Sequence, residues 1–216
     1  MTEDAPFADT VDTVEGLRTL YRTPSPIAAV KDRQSIDDAS RAFIERSRFA
    51  AVGTFDADGN ADVSPRGGPS GFVRVLDETR LAIADLSGNN RLDTLQNIVA
   101  TGRIALVFVV PGKTETVRVN GRAWVTTDAE VLDGFTLPKR PKAAIGVQLE
   151  TTFMHCGKAF MRGGMWDPEA WAELADTPDG AAVLACQKVV EVDEALVRAS
   201  LDEGYAHDLA AESTSA

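Results

Sequence analysis

The chain has 216 residues, 44% of them hydrophobic and 25% charged, which suits one soluble domain with a sizeable core, or one core with helices appended. Its formal net charge of −11 argues against a nucleic-acid binder, which needs a basic face, and against attraction to an anionic membrane surface. No apolar run approaches the ~20 residues of a spanning helix, the acidic start lacks the positive n-region of a secretory signal, and Cys156 and Cys186 are too few and too far apart for a disulfide scaffold, so a cytoplasmic protein is expected.

Residues 1–33 read as an arm. Val14, Leu17, Leu20 and Tyr21 fall at helical spacing, and Thr23-Pro24-Ser25-Pro26 then breaks the helix. So short an arm has little core of its own and is expected to lie on the main domain or on a partner subunit. The spacing predicts a helix over 36–47, with Ser35 as N-cap and Asp37 and Asp38 in the first turn, where the dipole favours negative charge. Ile36, Ala39, Phe43 and Ile44 form its apolar face.

The pattern then changes to strands. A strand over 49–55 meets a strong turn signal at Asp56-Ala57-Asp58-Gly59-Asn60 and returns over 61–64, where Pro65 is expected to end it. Residues 72–76 and 80–84 form a second hairpin about Asp77-Glu78-Thr79. Next comes Ser87-Gly88-Asn89-Asn90-Arg91 and a helix over 91–100, with Leu92, Leu95, Ile98 and Val99 inward and Gly102 as its stop. The continuous apolar run 104–110 predicts a central strand buried on both faces. Residues 116–125 alternate, Val117, Val119 and Ala123 against Arg118, Asn120 and Arg122; Asp128 caps a short helix through Gly134; and 143–153 is the last long strand. Beyond His155 the chain reads as mostly helical, with a small, polar tail after Ala210. The sum is a mainly β protein with flanking helices (α+β). Its six or seven antiparallel strands in hairpin order must hide their edges, which suggests a closed or split barrel.

Three segments carry possible chemistry. In Ser64-Pro65-Arg66-Gly67-Gly68, the glycines let backbone approach a ligand and Arg66 offers a planar fork for phosphate oxygens, although a plain Pro–Gly turn reads equally well. In the second, Asn89 or Asn90 caps the following helix, and Ser87 and Arg91 either bind an oxyanion at its N-terminus or are solvated. Together the two turns, at the exits of adjacent hairpins, make an anion site that an acidic protein would not otherwise display. In the third, His155 through Trp166, Lys158 and Arg162 share one helix face and Trp166 either packs in the core or offers a flat face to a flat ligand. His155 reads as structural and His207 as a surface residue, so two scattered histidines give no metal site. Lys139, Arg140 and Lys142 are a solvated basic loop or a hold for an acidic substrate. Nucleophile-elbow, dinucleotide and P-loop motifs are missing.

Over residues 49–166 these segments resemble the pyridoxamine 5′-phosphate oxidase-like flavoproteins, the FMN-binding split-barrel superfamily. Asp62-Val63-Ser64-Pro65-Arg66-Gly67-Gly68, the Gly88-to-Asn97 stretch and His155-to-Trp166 carry the likeness together. The resemblance implies a split-barrel domain over 34–166, a C-terminal helical extension over 167–216 packed on it, and a homodimer with FMN at the subunit interface. It assigns Ser64, Arg66 and Gly67 to the flavin and its ribityl phosphate, Asn89, Arg91 and Asn97 to phosphate or ribityl hydroxyls, and Lys158, Arg162 and Trp166 to the same flavin from the other subunit. Relatives often carry Asp where this chain has Gly68, so Gly68 is not counted as a ligand. Members that oxidise pyridoxine phosphate use a basic C-terminal end, whereas 201–208 here is acidic, which argues against vitamin B6 activity.

The function so implied is an FMN-dependent oxidoreductase acting on a small organic substrate, with no acid or base singled out. The competing reading is a non-catalytic sensor or store on the same fold, holding flavin, a deazaflavin or a tetrapyrrole. A tetrapyrrole would draw on His155, and a deazaflavin on the basic groove at Lys139, Arg140 and Lys142.

Overall fold

A computed structural model describes residues 6–187 and 193–213, in two compact units, 1–32 and 33–216. The expected acidic start at 1–5, any helix through 188–192 and the tail end at 214–216 lie outside the described residues.

In the first unit, Thr13 caps α1 (Val14–Leu20) by accepting the Gly16 N–H at 3.0 Å. The Thr23–Pro26 breaker does more than end that helix. Ser25 caps a second one, α2 (Pro26–Val30), and Pro26 sits in its first turn, where a missing N–H costs nothing.

The second unit is built on one seven-stranded antiparallel sheet. Helix α3 (Asp38–Arg46) starts two residues later than expected, because Asp37 rather than Ser35 accepts the Ser40 N–H, at 2.8 Å. Ile36 is therefore outside the helix, although it is still buried. The strands are β1 (Phe49–Phe55), β2 (Ala61–Gly67), β3 (Val73–Val75) and β4 (Arg80–Ala84). After α4 (Asp93–Thr101) come β5 (Arg103–Val109), β6 (Thr116–Thr126), α5 (Ala129–Asp133) and β7 (Ala144–His155). Their order is β2-β1-β5-β6-β7-β4-β3, with every pair antiparallel. The arrangement is a split barrel: β2 and β3 are edges, and α3 and α4 pack beside the sheet.

The core follows the expected alternation. Val52, Leu106, Phe108, Val119, Val147 and Ile83 meet in one buried cluster that also takes Ile44 and Ile98 from the helices. Residues 104–109 are central as expected, but only Ile104, Leu106, Phe108 and Val109 are fully buried, while Ala105 and Val107 are half-covered. Pro65 does not end β2. It pairs with Ala51 inside the strand, which an edge tolerates because every second N–H of an edge strand faces away from its neighbour, where a missing donor breaks no ladder bond. Helix α4 also differs from its pattern. Ile98 is buried as expected, but Val99 is 77% exposed and Leu92 48%, and the helix buries Thr94 and Asn97 in their place.

Beyond β7 the chain is helical as expected. Helix α6 (Lys158–Arg162) and a 3-10 helix (Pro168–Leu174) precede α7 (Gly180–Gln187) and α8 (Glu194–Ser213), which pack on each other. Arg198 of α8 pairs with Asp179 and with Glu194.

The register of β6 against β7 shifts between Asn120 and Gly121, and a Cβ at Gly121 would stand 2.1 Å from the Gln148 carbonyl oxygen. Gly121→Ala is expected to lower unfolding stability in urea by about 1–3 kcal/mol, the range for overpacking. Gly88→Ala, whose Cβ would meet nothing within 4 Å, should leave it unchanged or slightly higher.

Candidate functional site

The ends of β2 and β4 border a cleft of about 850 Å³. Ser64 to Gly67 form one wall, Asp85 to Asn90 another, and Leu137 to Arg140 with Lys142 a third. Helix α8 supplies the fourth through Asp208, Leu209, Glu212 and Ser213. A smaller cleft of about 140 Å³ adjoins it and shares Ser64, Pro65, Arg66, Asn89 and Leu92; Asp62, Val63, Arg91, Asp93 and Thr94 complete it.

Arg66 reaches both clefts because β2 continues through Pro65, so its side chain leaves the strand on the same face as Ser64 and Asp62. Its Nη1 donates to Ser64 Oγ at 2.9 Å and to the Pro65 carbonyl at 3.2 Å. Its Nε is buried with no partner among the described residues, and so are Asp62 Oδ2 and Thr94 Oγ1 on the small cleft. Three desolvated polar atoms around one small space, two of them donors, are costly unless something polar enters it. Gly67 lines the large cleft, but Gly68 serves packing: a Cβ there would press within 2.8 Å of Phe72.

The turn before α4 departs from expectation. Neither Asn89 nor Asn90 caps the helix. Leu92 stands at the cap with φ +63° and no side-chain bond. Asn89 Oδ1 instead accepts the Arg91 N–H at 3.0 Å, closing an Asx turn, and Asn90 also has positive φ, +58°. Two left-handed non-glycine residues in one short loop store strain of the kind found around binding sites. Arg91 is exposed and its Nε donates to Asp93 at 2.8 Å, a bond that raises its pKa. Asn97 lines neither cleft. It is buried, and its Nδ2 donates to Thr54 Oγ1 of β1 at 3.0 Å.

Asp85, Asp62, Thr94 and Glu212 escaped the sequence reading. A lone acid or threonine gives no local signal; Asp62 shares a strand face with Arg66, and only the fold brings Asp85, Thr94 and Glu212 to the clefts that Arg66 lines. Burial pushes the Asp85 carboxyl up, against the opposing charges of Arg66 and Lys142. Of the basic loop, Arg140 pairs with Asp133, while Lys139 and Lys142 face the cleft.

Lys158, Arg162 and Trp166 line neither cleft of their own chain. The two cations are exposed on α6. Trp166 is half-buried, stacked on Phe160 with centroids 5.8 Å apart, and its Nε1 donates to the Lys113 carbonyl at 2.8 Å. His155 ends β7 opposite Thr116 and also lies outside both clefts.

The family model for pyridoxamine 5′-phosphate oxidase matches residues 36–155, which span the whole sheet. The chain belongs to the pyridoxamine 5′-phosphate oxidase family. Among solved structures it is similar to HupZ of Group A Streptococcus, at 21% identity over 56% of this chain and 99% of that one, with a TM-score of 0.45. It is also similar to a Lactobacillus delbrueckii protein classed as a pyridoxamine 5′-phosphate oxidase, at 26% identity over 57% and 99%, TM-score 0.44. An F420 reductase matches at 17% identity over 52% and 94%, TM-score 0.39. No curated protein matches the chain. No helix among the described residues is long and apolar enough to cross a membrane.

Because folding raises the Asp85 pKa above 3.8, the folded chain holds that proton more tightly than the unfolded one. The stability this contributes is present below pH 3.8 and lost as pH rises through the folded value. Asp85→Asn should therefore gain stability relative to the parent as pH is raised through that window, measured by urea unfolding. Arg66→Ala should raise the Asp85 pKa further in a carboxyl carbon-13 NMR titration.

Proposed function

We propose that this family member is an FMN-binding flavoprotein and an FMN-dependent oxidoreductase acting on a small organic substrate. One observation carries the reading: Arg66 Nε, Thr94 Oγ1 and Asp62 Oδ2, of residues on the small cleft that Arg91 borders, are all buried without partners among the described residues. A ribityl phosphate offers acceptors to the two donors, and ribityl hydroxyls offer a donor to the carboxylate. Ser64 and Asn89 line the same space, Gly67 lines the adjoining large cleft, and all three suit the roles the family pattern gives them. The bond from Asn97 to Thr54 suits it to fixing α4 on β1.

Bound FMN would supply hydride or electron transfer, and the protein's part is to hold and orient it. A homodimer is part of the proposal. Lys158, Arg162 and Trp166 sit away from the clefts of their own chain, which agrees with their serving the partner's flavin. Two acids of α8, Asp208 and Glu212, border the large cleft, and this speaks against a grip on a second phosphate such as that of pyridoxine phosphate.

The large cleft also favours a second reading. Arg66, Lys139, Arg140 and Lys142 line one space, a basic groove of the kind a deazaflavin with an acidic tail would use. The tetrapyrrole alternative gains nothing comparable, since His155 lies outside both clefts.

Purified protein is expected to be yellow, or to become so with added FMN, and to bleach with dithionite and recover in air. Arg66→Ala and Arg91→Ala should each weaken FMN binding by about 1.5–3 kcal/mol, the range for a hydrogen bond to a charged group, read by flavin fluorescence quenching. A protein that takes up no flavin from excess FMN contradicts the proposal, and unchanged affinity in both variants contradicts the phosphate assignment.

A further inference from the structure

The fourth wall of the large cleft is not part of the sheet. Asp208, Leu209, Glu212 and Ser213 lie at i, i+1, i+4 and i+5 of α8, so one face of its last turns borders the cleft. Glu212 Oε1 accepts the Ser87 N–H at 2.7 Å, across 125 residues of sequence. That N–H belongs to the strained loop 85–92, which lines the cleft together with Arg66, Lys139 and Lys142. The acidic end of α8 therefore meets the loop as an anionic ligand would, with a carboxylate oxygen in the place of a phosphate or carboxylate oxygen of that ligand.

We propose that α8 is an intramolecular competitor for the cleft: Glu212 holds the Ser87 N–H, and an anionic ligand must displace the end of the helix to bind. The proposal rests on the reading that the cleft takes an anion, for which FMN is the probe. Helix α8 is suited to leave, since its exposed face carries Tyr205 and Glu203, and the ion pair from Arg198 to Asp179, the residue before α7, anchors its opposite end. Apparent affinity falls by the fraction of molecules in which the site is open, so loosening the closed form tightens binding without touching the ligand.

The test uses the full chain. Glu212→Ala, alone and with Asp208→Asn, changes half-buried positions on the cleft-facing side of the helix and is compared with the parent and with Arg66→Ala for FMN affinity by fluorescence quenching. Glu212→Ala is expected to bind FMN about tenfold more tightly, the effect of removing one charge-assisted bond from the closed form. Hydrogen–deuterium exchange over 203–213 in the parent is expected to rise when FMN saturates the protein. FMN binding that depends on Arg66 but is unchanged by Glu212→Ala overturns the competition and leaves the anion reading standing. So does protection of 203–213 by FMN, which would make α8 a lid that closes on ligand. Failure of the parent and both Glu212 variants to bind FMN overturns both.

Discussion

Burying part of a guanidinium without a partner is costly, and Arg66 does so at the open edge of the sheet. The position follows from one constraint on the fold. Strand β2 pairs only with β1, so Pro65 is tolerated within it, and the strand runs on far enough to aim Asp62, Ser64 and Arg66 along one face. Had Pro65 ended the strand, that alternation would have stopped at Ser64, and Arg66 would have belonged to a loop. The edge thus turns a sequence that reads as a turn into a rigid mount for a charged side chain.

Charge around the large cleft is balanced rather than simply positive. Arg66, Lys139 and Lys142 face Asp85, Asp208 and Glu212, and Arg140 is already paired with Asp133. On a chain of net charge −11, such a site stays positive only while its own carboxylates are neutralised or moved aside. Asp85 sits between two cations with its pKa pushed upward by burial, and Glu212 is held by a single backbone bond on a helix anchored elsewhere. The acidic groups are therefore the adjustable part of the site and the basic groups the fixed part.

Most of the fold was legible because it rests on periodicity. The hairpins about 56–60 and 77–79, the strand Arg80–Ala84, the Asp128 cap and the Gly102 stop follow from alternation and turn chemistry that act over a few residues. The misreadings lie where distant contacts override local rules. Leu92 and Val99 are exposed because α4 turns Thr94 and Asn97 inward, where Thr54 of β1 meets Asn97 with a hydroxyl. Asp37 takes the cap from Ser35 because Ile36 is drawn toward Glu78, whose carbonyl accepts its N–H. Of the site, the two arginine-bearing turns were legible as motifs. Asp62 shares a strand face with Arg66 once β2 is known to run through Pro65, but the orphaned Thr94 beside it and the return of α8 to Ser87 depend on sequence separations that no local pattern records.

The central claim is that Arg66 and Arg91 hold a phosphate, and the most direct measurement compares FMN with riboflavin, which lacks only that group. By titration calorimetry the protein is expected to bind FMN at least about 100-fold more tightly than riboflavin, the ratio for two hydrogen bonds to a charged group. Equal affinity for the two would contradict the account.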